Sequence, residues 1–205
     1  EIVGVTGLDG NGQDDFVKIL AGVQESHGGT IEILNTNEKF LRFNSLESAK
    51  ENGISFVSGD RKKEGILPNL SIYENLVVPL YNKTSKAGFL GFIDWMELNG
   101  IYDWEVERLN IKTGPRENLI GSLSGGNQQK VMIARSFAQH PKVLILNDPA
   151  RGIDISTKRD LYVHLRKYVE EGNTVVFLSS ELEEFIGLCP KVMVFRNGTI
   201  FDIFE

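Results

Sequence analysis

Three stretches of this chain bring together residue types that can hold an anion, hold a cation or move a proton. Residues 122–131 read Ser-Leu-Ser-Gly-Gly-Asn-Gln-Gln-Lys-Val, and Val131, Met132, Ile133, Ala134, Phe137 and Ala138 supply the apolar face of a helix that starts there. The unpartnered N–H groups of such a start, the Ser124 hydroxyl and the positive end of the helix dipole suit a phosphate oxygen, and glycine lets the anion come close. The same letters also describe an ordinary serine-capped helix. Residues 7–14, Gly-Leu-Asp-Gly-Asn-Gly-Gln-Asp, keep the G-x-x-x-x-G frame of a phosphate-binding loop. Its chemistry is altered: Gln13 stands where that frame places a lysine on the β/γ phosphates, and Asp14 where it places a hydroxyl on magnesium. The third stretch is Asn147-Asp148-Pro149 with Gly152-Ile153-Asp154 after it, where carboxylates can act as a base or as cation ligands. Its structural alternative is a polar strand end beside a proline.

The elements that must position these residues can be read from periodicity. Residues 2–6 form a buried strand, and the glycine loop turns it into a helix over 15–21 that closes at Gly22. Asp14 and Asp15 also read as first-turn helix residues facing a positive dipole end. Residues 30–34 and 39–43 form an antiparallel hairpin, 45–52 a short helix and 54–57 another strand, followed by Gly59 and a basic turn, Asp60-Arg61-Lys62-Lys63, expected to be solvated. From 67 to 121 the pattern changes to helices and loops, with Ser71 and Glu74 a capping box and 94–109 a helix. Tyr73, Tyr81, Phe89, Phe92, Trp95, Tyr102 and Trp104 concentrate there, most of them expected in a small helical core; exposed ones, above all in the loop 82–91, would suit docking of a partner helix. Residues 143–146 and 174–179 are central strands. Ser156 is expected to cap a helix over 157–171, Ser180 and Glu183 to form a second capping box, and 191–196 and 199–204 to close the fold as a hairpin around Asn197-Gly198.

Composition excludes several classes. A chain of 205 residues with 41% hydrophobic content can bury a substantial core. A net charge of −6 argues against a nucleic-acid binder, whose affinity comes from clustered Lys and Arg. One cysteine, Cys189, leaves no internal disulfide and no Cys-rich metal site, and reads as a small buried thiol. No apolar run approaches the length of a bilayer span, so any work at a membrane falls to a partner.

The glycine loop, the Leu-Ser-Gly-Gly-Asn-Gln segment, the strand ending in Asn147-Asp148-Pro149 and the Gly152-Ile153-Asp154 after it, in this order and at these intervals, resemble the nucleotide-binding domain of an ABC transporter over essentially the whole chain. The resemblance implies an α/β fold: a P-loop NTPase (RecA-like) core with a mostly parallel sheet, an antiparallel β hairpin and an inserted α-helical subdomain. It implies one domain over 1–205, with the core at 1–60 and 140–205 and the helical subdomain at about 61–139. The antiparallel β region that family members carry ahead of the first strand is not in this sequence, as expected of a trimmed fragment. The family's cofactors, ATP and magnesium, would be held at Gly7, Gly10, Asn11, Gly12, Gln13, Asp14 and Asp15, with Asp14 and Asn147 as weak metal ligands. Asp148 and Ser180 occupy the positions of the family's catalytic Glu and His, and Gly59 that of a glutamine that meets magnesium and water. Leu123, Ser124, Gly125, Gly126, Asn127 and Gln128 match the signature that closes on a partner domain's nucleotide, and Asp154 resembles a residue at the dimer seam.

Gln13 and Asp14 together remove one positive charge and add one negative charge beside an anion. At roughly 4 Å and an effective dielectric near 20, each unit is on the order of 4 kcal/mol before screening, more than a few charge-assisted N–H contacts supply. Asp148 is about one methylene shorter than the glutamate it replaces, and misplacement of that order is costly in catalysis. An intact signature beside a poor loop fits one half of an asymmetric pair, which completes its neighbour's catalytic site while its own is weak or silent. Residues 122–131, Asp-Pro-Ala-Arg-Gly-Ile-Asp and Ser-Ser-Glu-Leu-Glu-Glu look like the second of two fused domains in bacterial monosaccharide importers of the ribose, galactose and xylose class; the loop is also similar to that of nucleoside importers. The implied partners are a second ABC domain, a transmembrane permease at the cytoplasmic face of the membrane and, indirectly, a solute-binding protein. The rival readings are a pseudo-ATPase that only docks or regulates, and a soluble ABC ATPase of translation or DNA repair.

Overall fold

The computed structural model describes residues 1–34, 40–81 and 93–205. They divide into two compact units, one of residues 1–59, 141–150 and 162–205, the other of residues 60–140 and 151–161.

The first unit is built on a sheet of six strands: β1 (Ile2–Gly7), β4 (Ile54–Val57), β5 (Val143–Asn147), β6 (Thr174–Leu178), β7 (Lys191–Arg196) and β8 (Thr199–Phe204), in the order β4-β5-β6-β1-β7-β8. All neighbours are parallel except β7 and β8, which pair antiparallel. The central strands read as near-continuous apolar runs because a parallel sheet is covered on both faces. The loop after β1, the end of β5 at Asn147 and the end of β6 at Leu178 leave the sheet from the same edge, since Val5 and Asn147 both pair with Leu178. That shared edge gathers the glycine loop of residues 7–14 and the polar end of β5, Asn147 and Asp148. A separate two-stranded sheet pairs β2 (Glu32–Leu34) with β3 (Phe40–Arg42); residues 35–39, which contain the expected turn, lie outside the described residues.

Helix α1 (Gln13–Leu20) starts two residues earlier than periodicity suggests, because Gly12 serves as its N-cap in a left-handed conformation. Val17, Ala21 and Phe43 pack with Val5, Ile145 and Leu178 in one core. Each fully buried aliphatic side chain there contributes about 1.5–3 kcal/mol, so α1 is held by its apolar stripe and needs no side-chain cap. Helix α2 (Leu46–Glu51) is capped by Ser45, whose Oγ accepts from Ser48 N. The β7–β8 turn puts Asn197 and Gly198 at φ 52° and 77°, as an Asn-Gly hairpin requires.

The second unit packs α3 (Ile72–Val77), α4 (Trp95–Arg108) and α5 (Gly125–Phe137). The capping box at α3 forms as expected: Ser71 Oγ accepts from Glu74 N and the Glu74 carboxylate accepts from Ser71 N. Tyr73 packs against Tyr102 in a tilted pair with centroids 5.2 Å apart. The expectation of a mostly buried aromatic cluster is only partly met, since Trp95 and Trp104 are 55% and 64% exposed. Phe89, Phe92 and the loop 82–91 lie outside the described residues. Glu105 is buried, with Arg108 Nη1 at 3.1 Å, and burial pushes its carboxyl up to about 7.

Helix α6 (Ile155–Glu170) begins in the second unit and continues into the first. Its start is a correction to the sequence reading. Asp154, and not Ser156, caps it: the Asp154 carboxylate accepts from Thr157 N, Thr157 Oγ1 and Ser156 Oγ at 2.8–3.0 Å. These bonds, that from the Thr157 N–H foremost, hold its carboxyl well below the usual range. The capping box expected at Ser180 does not form. A short 3-10 turn, Leu182–Phe185, follows with no side-chain cap, and Ser180 turns toward Asp148. Cys189 is half-buried rather than buried, and desolvation raises its thiol to about 12. Among the described residues, no helix is long and apolar enough to cross a membrane.

Candidate functional site

In the first unit the glycine loop leaves β1 at Gly7 and enters α1 at Gln13. Gly10 and Gly12 hold φ of 80° and 94°, conformations that only glycine adopts without strain. Asn11 anchors the loop to the β7–β8 turn: its Oδ1 accepts from Asn197 N at 2.7 Å and its carbonyl from Gly198 N at 3.1 Å. Gln13, 5% exposed, folds back on the loop and its Nε2 donates to Gly7 O at 3.2 Å and Leu8 O at 3.0 Å. The loop is thereby braced from inside by a neutral amide, and the other half of that amide, Oε1, is buried with no hydrogen-bond donor.

Asp14 accepts a 2.8 Å hydrogen bond from Asn147 Nδ2, across 133 residues of sequence. Asp14 Oδ2 and Asn147 Oδ1 have no hydrogen-bond partner among the described residues, which leaves one carboxylate oxygen and one amide oxygen for a hard cation. Gly59 backs onto Asn147: a Cβ there would stand 3.1 Å from both Asn147 O and Asn147 Oδ1. A larger residue at 59 would have to push Asn147 aside. Asp148 sits at φ 42°, and its Oδ1 accepts from Ser180 N at 3.0 Å and lies 3.5 Å from Ser180 Oγ. Asp15 is exposed on the first turn of α1.

In the second unit Ser124 is the N-cap of α5. Its Oγ accepts from Asn127 Nδ2 at 3.1 Å and, at the limit of bonding distance, from Asn127 N at 3.5 Å. Asn127 is itself oriented, because its Oδ1 accepts from Lys112 N at 3.0 Å. With its acceptor positions taken, the Ser124 hydroxyl keeps its proton to donate elsewhere. Ser124, Gly126 and Asn127 line a cavity of about 440 Å³, together with Lys112, Gly152, Asp154 and Thr157 among others. Not all of residues 123–128 face this space. Leu123 is core, and Gln128 donates inward to Leu123 O at 3.0 Å. Lys130, at the cavity wall, is committed to Asn110 O and lies 3.7 Å from Asp160. Sequence reasoning missed Lys112, a lone lysine in a loop with no pattern to mark it.

A strand-loop-helix with two left-handed glycines, and a Ser-Gly-Gly helix start over a polar cavity, are anion-binding devices. The sequence profile of the ABC transporter family matches residues 1–151. The chain belongs to the ABC transporter family. As an ABC domain it is similar to the ribose import ATP-binding protein RbsA of Bacillus cereus, 38% identical over all of this chain and 40% of the relative. It is 37% identical to the protein of that name from Lactococcus lactis subsp. lactis, over 99% of this chain and 40% of the relative. The chain thus spans about 40% of the length of the curated relatives it matches. Among solved structures, a bacterial ABC transporter cassette determined as a dimer superposes with a TM-score of 0.85 at 21% identity, over 100% of this chain and 85% of that one. A dimeric ATP-binding cassette in a post-hydrolysis state bound to ADP and Pi gives 0.83 at 23%, over the same shares. The fold is that of an ATP-binding cassette, as the sequence led one to expect.

Proposed function

We propose that this ABC domain energises ATP-dependent import of a sugar, and that it does so mainly by closing its α5 start over a nucleotide held by a second ABC domain. The two compact units act together as one nucleotide-binding domain, docked on a permease at the cytoplasmic face of the membrane. The names of its relatives support a sugar of the ribose class.

The observation that carries the reading is the contrast between two helix starts. At α5 the Ser124 hydroxyl is oriented by Asn127 and, with Gly126, lines a polar cavity. At α1 the backbone fits a phosphate, but the side chain where a cation belongs is Gln13, already spent on its own loop. The residues also fit magnesium, through Asp14 Oδ2 and Asn147 Oδ1, and bound there the ion would neutralise phosphate charge. The pairing of Asp14 with Asn147 also refines the electrostatics: relative to the family pattern one carboxylate has moved from the end of β5 to the start of α1. The net difference is therefore one unit of charge, the missing lysine, rather than two. That is on the order of 4 kcal/mol before screening, enough to make the loop a weak site without erasing it. Asp148 and Ser180 form the nearest equivalent of a base and its γ-phosphate-side partner, with the carboxylate already engaged by Ser180 N.

Equilibrium binding of labelled ATP with magnesium to the 205-residue chain tests the weak site directly. Saturation only near or above roughly 1 mM, a free energy of about −4 kcal/mol, is the expected outcome; micromolar saturation would show the charge argument to be wrong.

A further inference from the structure

We infer that Arg61 is a positioning residue of the α5 start: it holds Gly125 in place so that Ser124 and Gly126 meet an incoming phosphate in a single geometry. The inference rests on the reading of α5 as the helix that receives a neighbour's nucleotide.

The basic turn after Gly59 is not simply solvated, as its composition suggests. Residues Arg61–Gly65 wind into one wide helical turn capped by Asp60, whose Oδ1 accepts from Lys63 N at 3.1 Å. Lys62 and Lys63 point to solvent, whereas Arg61 turns in. Its Nη1 donates to Gly125 O at 3.1 Å. The guanidinium lies so close to the Gly125 α-carbon that a methyl group there would stand 3.0 Å from Nη2 and 3.3 Å from Cζ. The turn is fastened to α5 a second time, three helical turns on, where Arg135 Nη2 donates to Gly65 O. A Cβ at Gly65 would run into the end of the Met132 side chain, so α5 packs a side chain directly against the turn at Gly65. Two guanidinium contacts therefore bracket α5, one at its first turn and one near its last.

Two features make the first bracket more than packing. Arg61 has no carboxylate partner among the described residues, and its Nε is buried without an acceptor. An unpaired cation beside the positive end of a helix is unfavourable in the free domain and becomes favourable when an anion arrives. The two signature glycines also answer to different neighbours. A methyl at 125 would press on Arg61, while a methyl at 126 would meet only Ile153 Cγ2 at 3.8 Å and Asp154 Oδ2 at 3.9 Å, ordinary contacts. Gly125 is thus the glycine that Arg61 requires, and Gly126 the one that faces the cavity. A first turn would otherwise fray, since its amides lack intrahelical partners.

The test uses the intact transport ATPase and three variants, Arg61→Ala, Arg61→Lys and Ser124→Arg, with two readouts: steady-state turnover as a function of ATP, and hydrogen exchange of the amides of residues 126–128 without nucleotide. Because the neighbour's loop holds the triphosphate, Arg61→Ala is expected to lower kcat roughly 10-fold with little change in KM, and to speed exchange by about the same factor, the worth of one charge-assisted hydrogen bond. Arg61→Lys keeps charge and stem and should fall between Arg61→Ala and the parent in both readouts, which also guards against misfolding of the alanine variant. If Ser124→Arg abolishes turnover while Arg61→Ala leaves kcat and exchange within twofold of the parent, Arg61 is not a positioning residue. If Ser124→Arg itself retains full turnover, the reading of α5 fails first and the role of Arg61 with it.

Discussion

The glycine loop before α1 and the Ser-Gly-Gly turn before α5 use the same device, a helix start with close backbone approach, and differ in what the neighbouring side chains do with it. Around α5, Asn127 orients Ser124, Lys112 N orients Asn127 and Arg61 holds Gly125, so the cavity-facing groups are backed by others. Around α1, Gln13 satisfies the loop's own carbonyls and Asp14 is paired with Asn147 through one hydrogen bond. A helix dipole suits an anion at either place; the charge and the commitments of a few side chains decide whether one is welcome.

The largest effect that could break this contrast comes from Ser124→Arg. It puts a long side chain into the cavity and removes a directed donor, and the assembled transporter should lose at least about 100-fold in turnover, the scale seen when one preorganised donor is deleted. Gln13→Ala, which touches only the domain's own loop, should change turnover less than about twofold, in the range of mutations remote from the reacting groups. Next comes Gln13→Lys. Restoring one cation to the α1 loop should tighten equilibrium binding of Mg-ATP to this chain by roughly 30-fold, about 2 kcal/mol, after solvent screening of the bare Coulomb term.

A smaller effect tests whether Asp14 and Asn147 are a matched exchange. Asn147→Asp alone sets two carboxylates at hydrogen-bonding distance, and Asp14→Ser alone leaves that pair without a charge. Together they should restore the family pattern, with a coupling of about 1–2 kcal/mol in a double-mutant cycle of Mg-ATP binding; additive effects would mean the two positions changed independently. The smallest effect separates the two units by pH. Glu105 carries a carboxyl raised to about 7 by burial, so the folded state holds its proton over a range where the unfolded chain has released it. Stability from this group is fully present below the ordinary carboxylate range and is lost as pH rises through 7. Thermal melts should show the helical unit losing roughly 1 kcal/mol between pH 6 and 8, a slope that Glu105→Gln removes.

The fold was legible where local rules act alone. Apolar runs gave the parallel strands, Asn197-Gly198 gave the closing hairpin, and Ser71 with Glu74 gave a real capping box. The same Ser-x-x-Glu spacing at Ser180 misled, because Asp148, 32 residues away, takes the Ser180 N–H. At α6 two good cap residues, Asp154 and Ser156, compete, and the carboxylate accepts three bonds where the hydroxyl donates one. The site divides in the same way. The glycine frame and the signature are contiguous and could be read, whereas the Asp14–Asn147 pair and the Arg61–Gly125 contact join residues 133 and 64 positions apart. Arg61 was further hidden by two lysines beside it that do face water, and charge runs of that kind are usually solvated.

The asymmetry between the two helix starts is tested most directly by counting nucleotides. Titrating the assembled transporter with labelled Mg-ATP under conditions that prevent turnover should give one tight site for each pair of ABC domains, and a second site, over α1 of this one, that fills only at far higher concentration. Two sites of equal affinity for each pair would contradict the account.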